Sequence, residues 1–221
     1  MRVCILDAWA GGDEALTNSH QVALWSEATL REHGVAVATI AGDAVTRTRV
    51  EAALATPDHD GFAYFGHGAE RCLFRTLDAT HAPVALVDDA NLSPLGERWF
   101  HAFACLSGRG LGISTTAEAV GCYVGYAVKV NVGWTDEALT DPLRPLLIAL
   151  TTCATRLLAS GERSRDALRR AVREVSDALV AWLDEHPEEA EALPHGEQLA
   201  LYQLANTLHE RMTVAGASVR P

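Results

Sequence analysis

Short apolar segments alternate with helical patterns through the first two thirds of the chain. The pattern predicts buried strands at 3–6, 35–40, 61–65, 99–104 and 123–130, and helices at 13–32 and 43–55. Apolar strands separated by helices are typical of a mostly parallel sheet that is covered on both faces. We therefore expect an α/β fold, a three-layer α/β/α sandwich.

The pattern changes after Gly133. Leucine and alanine residues at helical spacing predict a helix over 143–158, which Ser160 and Gly161 end, and a second helix over 164–185. An acidic break at 187–194 precedes a last predicted helix at 196–213. We expect residues 1–186 to form one domain with C-terminal helices, and residues 187–221 to form a helical extension.

The net charge of −11 over 221 residues argues against a nucleic-acid or membrane-surface binder, which needs a basic face. The five cysteines are odd in number and form no CxxC pair, so they indicate reduced thiols rather than disulfides or a zinc site. The sequence contains no signal-peptide pattern and no membrane-spanning run, and we expect a cytoplasmic protein. Lys129 is the only lysine among many arginines, which hints at a GC-rich bacterial source.

Two predicted strands end in residues that can carry out chemistry. The strand at 61–65 runs into Gly66-His67-Gly68, and the strand at 99–104 runs into Cys105. Reactive groups in parallel α/β sheets collect beyond the carboxyl ends of the strands. If the two strands are neighbours, the imidazole and the thiol lie side by side, as nucleophilic catalysis requires. Gly68 would let its backbone N–H join that of Cys105 in an oxyanion hole.

Each of these residues also has a simpler interpretation. A cysteine at a strand end is more often a small buried residue than a nucleophile. The pair His33-Gly34 precedes a strand and indicates a helix end. His101 lies within a predicted strand, where a core histidine is expected. The glycine-rich segment 108–112 lacks the ending of a P-loop, and a loop after the nucleophile is expected there.

The order of these motifs resembles a known clan of cysteine peptidases, which includes caspases, metacaspases, legumains, gingipains, separases and bacterial CHAT domains. Tyr64-Phe65-Gly66-His67-Gly68 is similar to the histidine block of that clan, and the segment from Phe103 to Gly108 is similar to the cysteine block. The part from Gly121 to Ala171, with Trp134 and Asp136, resembles CHAT domains most. Thr135 stands where that family often has proline, and no tetratricopeptide repeats precede the domain.

The resemblance implies a caspase-like sandwich and a cysteine endopeptidase with His67 and Cys105 as the dyad. It requires no cofactor and no metal. Trp134 would border the substrate groove, and Asp136 or Asp7 would form the floor of a pocket for a basic residue before the scissile bond. Arg109 is the candidate for an aspartate-preferring pocket instead.

The expected partner is a protein substrate, with no nucleic acid and no membrane. The candidate substrate is a protein encoded by a neighbouring gene in a bacterial defence or antiviral cell-death pathway. Two alternatives remain. One is a catalytically silent caspase-like module that binds a partner through the same groove. The other is a Cys-His hydrolase on a flavodoxin-like sheet, in which the nucleophile precedes the histidine, opposite to the order here.

Overall fold

The structure is a computed structural model that describes residues 1–11, 13–77, 79–114, 120–130, 132–134, 143–194 and 196–220. Its main feature is a six-stranded sheet. The strands are β1 (Arg2–Asp7), β2 (Ala36–Ala41), β3 (Gly61–Phe65), β7 (Trp99–Phe103), β8 (Cys122–Tyr126) and β9 (Met212–Ala215). Their order in the sheet is β2-β1-β3-β7-β8-β9. The first five strands of this order are parallel, and β9 is antiparallel to β8.

Helices cover both faces of this sheet. The α-helices of the described residues are α1 (Glu14–Glu32), α2 (Arg47–Ala55), α3 (Asp89–Leu92), α4 (Leu143–Ala159), α5 (Arg165–Glu185), α6 (Pro187–Glu191) and α7 (Glu197–Glu210). Val3 and Ile5 of β1 face a core shared with α1, α4, α5 and α7, whereas Cys4 and Leu6 face a second core with α2. This alternation along a strand buried on both sides confirms the predicted α/β sandwich with a mostly parallel sheet.

A second, three-stranded antiparallel sheet lies between β3 and β7 in the sequence. It consists of β4 (His67–Gly68), β5 (Cys72–Leu77) and β6 (Pro83–Asp88), in that order. These strands are not among those predicted from the sequence, although β6 contains the apolar run Val84-Ala85-Leu86-Val87. Their importance for function is that His67 and Gly68 themselves form β4.

The C-terminal segment completes the main sheet. The last helix ends at Glu210 rather than at residue 213, and Met212 begins β9, with Tyr126 of β8 opposite it. Met212 and Val214 are buried while Thr213 and Ala215 are partly exposed, which is the alternation of an edge strand. The predicted acidic break also contains the short α6. Residues of α7 belong to the same hydrophobic core as α1 and α4.

Two further boundaries differ from the sequence prediction. The second helix begins at Arg47 rather than at residue 43, because Thr46 caps it by accepting a hydrogen bond from Arg49 N. The strand β8 ends at Tyr126, and the residues to Val130 form a loop beside Cys105. Within the described ranges, none of the helices is long and apolar enough to cross a membrane. No group of three or more potential metal ligands occurs among those residues either.

Candidate active site

The register of the sheet brings the two motifs to the same edge. Strands β3 and β7 are parallel neighbours, with Phe65 opposite Phe103. His67 and Cys105 each follow two residues later, so their backbones leave the sheet side by side. Gly68 lies against the cysteine itself, since a Cβ atom added to it would be 2.2 Å from the carbonyl oxygen of Cys105. The close approach of the two segments therefore requires glycine at position 68.

The imidazole of His67 is held on two sides. Its Nε2 atom lies 2.8 Å from Oδ2 of Asp13, and its ring stacks on Phe74 with 5.3 Å between centroids. A carboxylate accepts hydrogen bonds, so Nε2 carries a proton and a neutral ring keeps Nδ1 as its basic nitrogen. The buried hydroxyl of Tyr64 donates to the carbonyl oxygens of Phe74, at 2.6 Å, and of His67, at 3.1 Å. These contacts fix both the backbone and the ring of His67.

Asp13 was not singled out by the sequence analysis. Its Oδ1 atom accepts a hydrogen bond from Leu16 N and caps α1, while Oδ2 contacts His67. One carboxylate thus connects the first helix with the histidine loop across 54 positions. The sequence shows Asp13 as an acidic helix cap just after β1, and the carboxyl end of β1 lies at the same edge of the sheet as that of β3. This local pattern does not show that Asp13 contacts His67.

Cys105 begins a tightly fixed turn. Its side chain is partly buried, and Sγ lies 3.7 Å from the carbonyl oxygen of Val130, to which the thiol donates. Leu106 adopts a left-handed backbone with φ of 56°. Such a conformation costs a non-glycine residue about 1 kcal/mol and is more common at functional sites. Ser107 stabilises the turn, because its hydroxyl donates to the carbonyls of Ala102 and Ala104 and accepts from Tyr126 N.

The two central side chains do not hydrogen-bond to each other in this structure. His67 uses Nε2 for Asp13, and Cys105 points its thiol toward Val130. Catalytic hydrogen bonds are often long without substrate and shorten in the complex. The arrangement supplies a thiol, a neighbouring base with an oriented ring, and two adjacent backbone segments in which an oxyanion could be bound.

Asp7 lies at the end of β1 and is only 2% exposed. Its Oδ2 atom is 2.5 Å from Nδ1 of His20, and the ring of His20 stacks on Trp9. Burial raises the pKa of Asp7 above its usual value, although the hydrogen bond with His20 opposes this shift. A substrate cation that used Asp7 would have to replace or join His20 as its partner.

The remaining predicted substrate-binding residues have different outcomes. Trp134 is 4% exposed and stacks on Trp25 with 6.2 Å between centroids, so its ring contributes to the core, and a role at the groove stays a prediction. Asp136 lies outside the described residues. Arg109 is exposed and pairs with Glu70 at 3.3 Å.

The interpretation of His101 as a core residue is confirmed. Its ring is fully buried in β7, with Nδ1 2.7 Å from the Thr155 hydroxyl and Nε2 3.1 Å from the Tyr126 hydroxyl. Burial lowers the pKa of His101 to about 3, so the ring is neutral. Cys122 is also fully buried, whereas Cys105 is partly exposed, as is Cys72 of β5.

The comparisons with known proteins include a structural likeness. No family model and no curated protein sequence matches the chain. The fold is similar to the crystal structure of the Arg-specific cysteine proteinase gingipain R, with a TM-score of 0.47 and 10% sequence identity. The alignment covers 97% of this chain and 45% of that one, so the chain spans less than half of that proteinase. A similarity of this extent does not establish a shared activity.

Proposed function

We propose that this protein is a cysteine endopeptidase of the caspase-like clan, closest to bacterial CHAT domains. The observation that carries the proposal is the arrangement of His67 and Cys105 at the carboxyl ends of adjacent parallel strands, with the imidazole held by Asp13. The order of the histidine and cysteine blocks along the chain supports the same assignment. No cofactor takes part in the proposed reaction.

In the proposed reaction, Nδ1 of His67 removes the proton from the Cys105 thiol, and the thiolate forms a bond to the carbonyl carbon of the substrate. The backbone N–H groups of Gly68 and Cys105 stabilise the negative oxygen of the tetrahedral intermediate. The intermediate collapses, the C–N bond breaks, and the leaving amine takes the proton from His67. A water molecule, deprotonated by His67, then hydrolyses the thioester and releases the thiolate.

For the primary pocket we propose a preference for arginine or lysine. A long cationic side chain requires a carboxylate at the base of its pocket, because an unpaired buried charge is costly. Asp7 and Asp136 are the candidates, and Asp7 is the buried carboxylate at the correct edge of the sheet. Cleavage of peptides that differ only by Arg, Lys, Asp or Asn before the scissile bond tests this preference. Faster cleavage after Asp would overturn the pocket assignment and leave the dyad standing.

The biological setting is proposed from the resemblance alone. A bacterial peptidase of this type could cleave a protein encoded by a neighbouring gene in a defence or cell-death pathway. Co-expression with each neighbouring gene product, followed by mass spectrometry of new termini, tests this proposal. New termini that persist with Cys105→Ala would contradict it.

A peptidyl acyloxymethyl ketone tests the dyad directly. We expect covalent labelling at Cys105, located by peptide mapping, with a rate that falls by about two orders of magnitude or more in His67→Ala. Cys105→Ala abolishes labelling while the thermal unfolding temperature stays close to that of the wild type. Labelling at Cys72 instead, or an unchanged rate in His67→Ala, would contradict the assignment.

A second candidate function is a catalytically silent module that binds a partner through the same groove. The absence of a hydrogen bond between the described side chains of His67 and Cys105 favours this alternative. Labelling with the acyloxymethyl ketone separates the two functions, since Cys105 of a silent module would be labelled no faster than an exposed thiol of a small molecule.

A further inference from the structure

The face of α5 next to α7 carries a concentration of arginine. Asp166, Arg169, Arg170 and Arg173 recur at helical spacing and lie on one face of α5. Together with His209, Glu210 and Arg211 they line a groove of about 720 Å³, here named the arginine groove. Four guanidinium groups and two carboxylates give this groove a net charge of +2, in a chain whose net charge is −11.

The arginines of this groove lack a carboxylate partner among the residues that the structure describes. Arg169, Arg170, Arg173 and Arg211 are exposed, and none of them forms an ion pair with a carboxylate of the described residues. Arg169 donates to the carbonyl oxygen of Met212 at 2.8 Å, which attaches its guanidinium to the start of β9. Within the helix the like-charge spacings of Arg173 with Arg169 and Arg170 are opposed by the opposite-charge spacings of Asp166 with Arg169 and Arg170, each worth a few tenths of a kcal/mol. The net positive charge of the groove attracts an anionic ligand.

The arginine groove adjoins the candidate active site. A second groove, of about 690 Å³, is lined by Cys105, by residues 128–130 and by the α7 residues Gln203, Asn206 and Thr207. Glu210 and Arg211 line both grooves. A chain that lies across Cys105 could therefore continue past the end of α7 onto α5. The C-terminal segment, which completes the sheet through β9, also forms the wall that joins the two grooves.

We infer that the arginine groove is an exosite that binds an acidic segment of the polypeptide substrate, several residues away from the scissile bond. This inference rests on the proposed peptidase function for the identity of the ligand. Guanidinium groups bind carboxylates in bidentate geometry, and several adjacent arginines suit a run of aspartate or glutamate. Charge complementarity in this otherwise acidic molecule selects such a segment and excludes neutral or basic ones.

Binding to the full chain carrying Cys105→Ala tests the inference without cleavage. The probe is a short fluorescent peptide rich in glutamate, and its matched control has glutamine at the same positions. We expect the acidic peptide to bind about tenfold more weakly to the double variant Arg170→Glu, Arg173→Glu, and the difference to decrease as salt is added. Arg49→Glu, an exposed arginine on α2, is the control and leaves binding unchanged.

Two results of this binding experiment would overturn the exosite. One is equal binding of the acidic peptide to the wild-type groove, the double variant and the Arg49→Glu control. The other is tighter binding of a short single-stranded oligonucleotide through the same arginines, which would make the ligand a nucleic acid. If the acidic peptide binds through these arginines but the wild-type protein cleaves no peptide, the proposed function is refuted and the groove remains a binding site for acidic peptides. Cleavage of neutral peptides with no advantage for acidic extensions would refute the exosite alone.

Discussion

Substitution of Gly68 by alanine tests the proposed site through its geometry. An added Cβ atom would lie 2.2 Å from the carbonyl oxygen of Cys105 and 2.9 Å from Cβ of Ala104, whereas ordinary contacts begin at 3.4 Å. The two backbones must therefore separate by about 1.2 Å, the difference between 3.4 Å and 2.2 Å. The partners are the backbone carbonyl of Cys105 and the Cβ atom of Ala104, neither of which moves when a side chain rotates, so a change of rotamer cannot relieve the clash.

The expected cost has two parts. Overpacking of this kind destabilises a folded chain by about 1–3 kcal/mol. A displacement of about 1 Å at a reacting group lowers the rate by roughly a hundredfold. We expect Gly68→Ala to lower the thermal unfolding temperature moderately, and to slow labelling of Cys105 by the acyloxymethyl ketone about a hundredfold at a temperature where the variant is folded.

Gly11→Ala is the matched control, because its added Cβ has no atom within 4 Å. We expect this variant to keep the labelling rate and the stability of the wild type. Gly68→Ala with a wild-type labelling rate and unchanged stability would refute the close approach of the histidine and cysteine loops. A loss of stability with an unchanged labelling rate would confine Gly68 to a structural role.

Three further predictions follow from individual side chains. Asp13→Asn keeps the helix cap but weakens the hydrogen bond to the imidazole of His67. We expect labelling of Cys105 to be about tenfold slower, with a shifted pH profile in a pH series. An unchanged pH profile would contradict the positioning role of Asp13. Burial raises the pKa of Cys4 to about 12 and also raises the pKa values of Cys72, Cys122 and Cys153, so iodoacetamide at neutral pH should modify Cys105 first in the native protein, as peptide mapping can show. Arg47 lowers the pKa of Asp88, so this pair stabilises the fold above the unfolded pKa of about 3.9, and the stabilisation is lost as the pH falls below that value. In denaturant unfolding, Arg47→Met should lower the free energy of unfolding by at most about 1 kcal/mol at neutral pH and should leave it unchanged in strong acid.

The central strands were predictable because each one is a short apolar run bounded by turn residues. The predicted bounds of β3 are those observed, and β7 ends one residue earlier than expected. Strand ends fix the positions of His67 and Cys105 along the chain, and the rule that parallel strands end at one edge supplies their proximity. This is why the two central residues of the candidate site could be selected before any coordinates.

The parts that were not predictable depend on contacts between distant segments. The pairing of Asp13 with His67 joins residues on two different elements. Met212 continues the apolar spacing of α7, so only the pairing with β8 shows that it begins a strand. The wall that α7 places beside Cys105 likewise depends on tertiary packing, whereas the sequence alone predicts an appended helix there.

Turnover of a peptide library by the purified wild-type protein, compared with Cys105→Ala and His67→Ala, tests the peptidase proposal most directly. The account predicts cleavage by the wild type, no detectable cleavage by Cys105→Ala, and a rate lower by orders of magnitude in His67→Ala, with all three proteins folded. Cleavage by Cys105→Ala at the wild-type rate, or a folded wild-type protein that cleaves no peptide of the library, would contradict it.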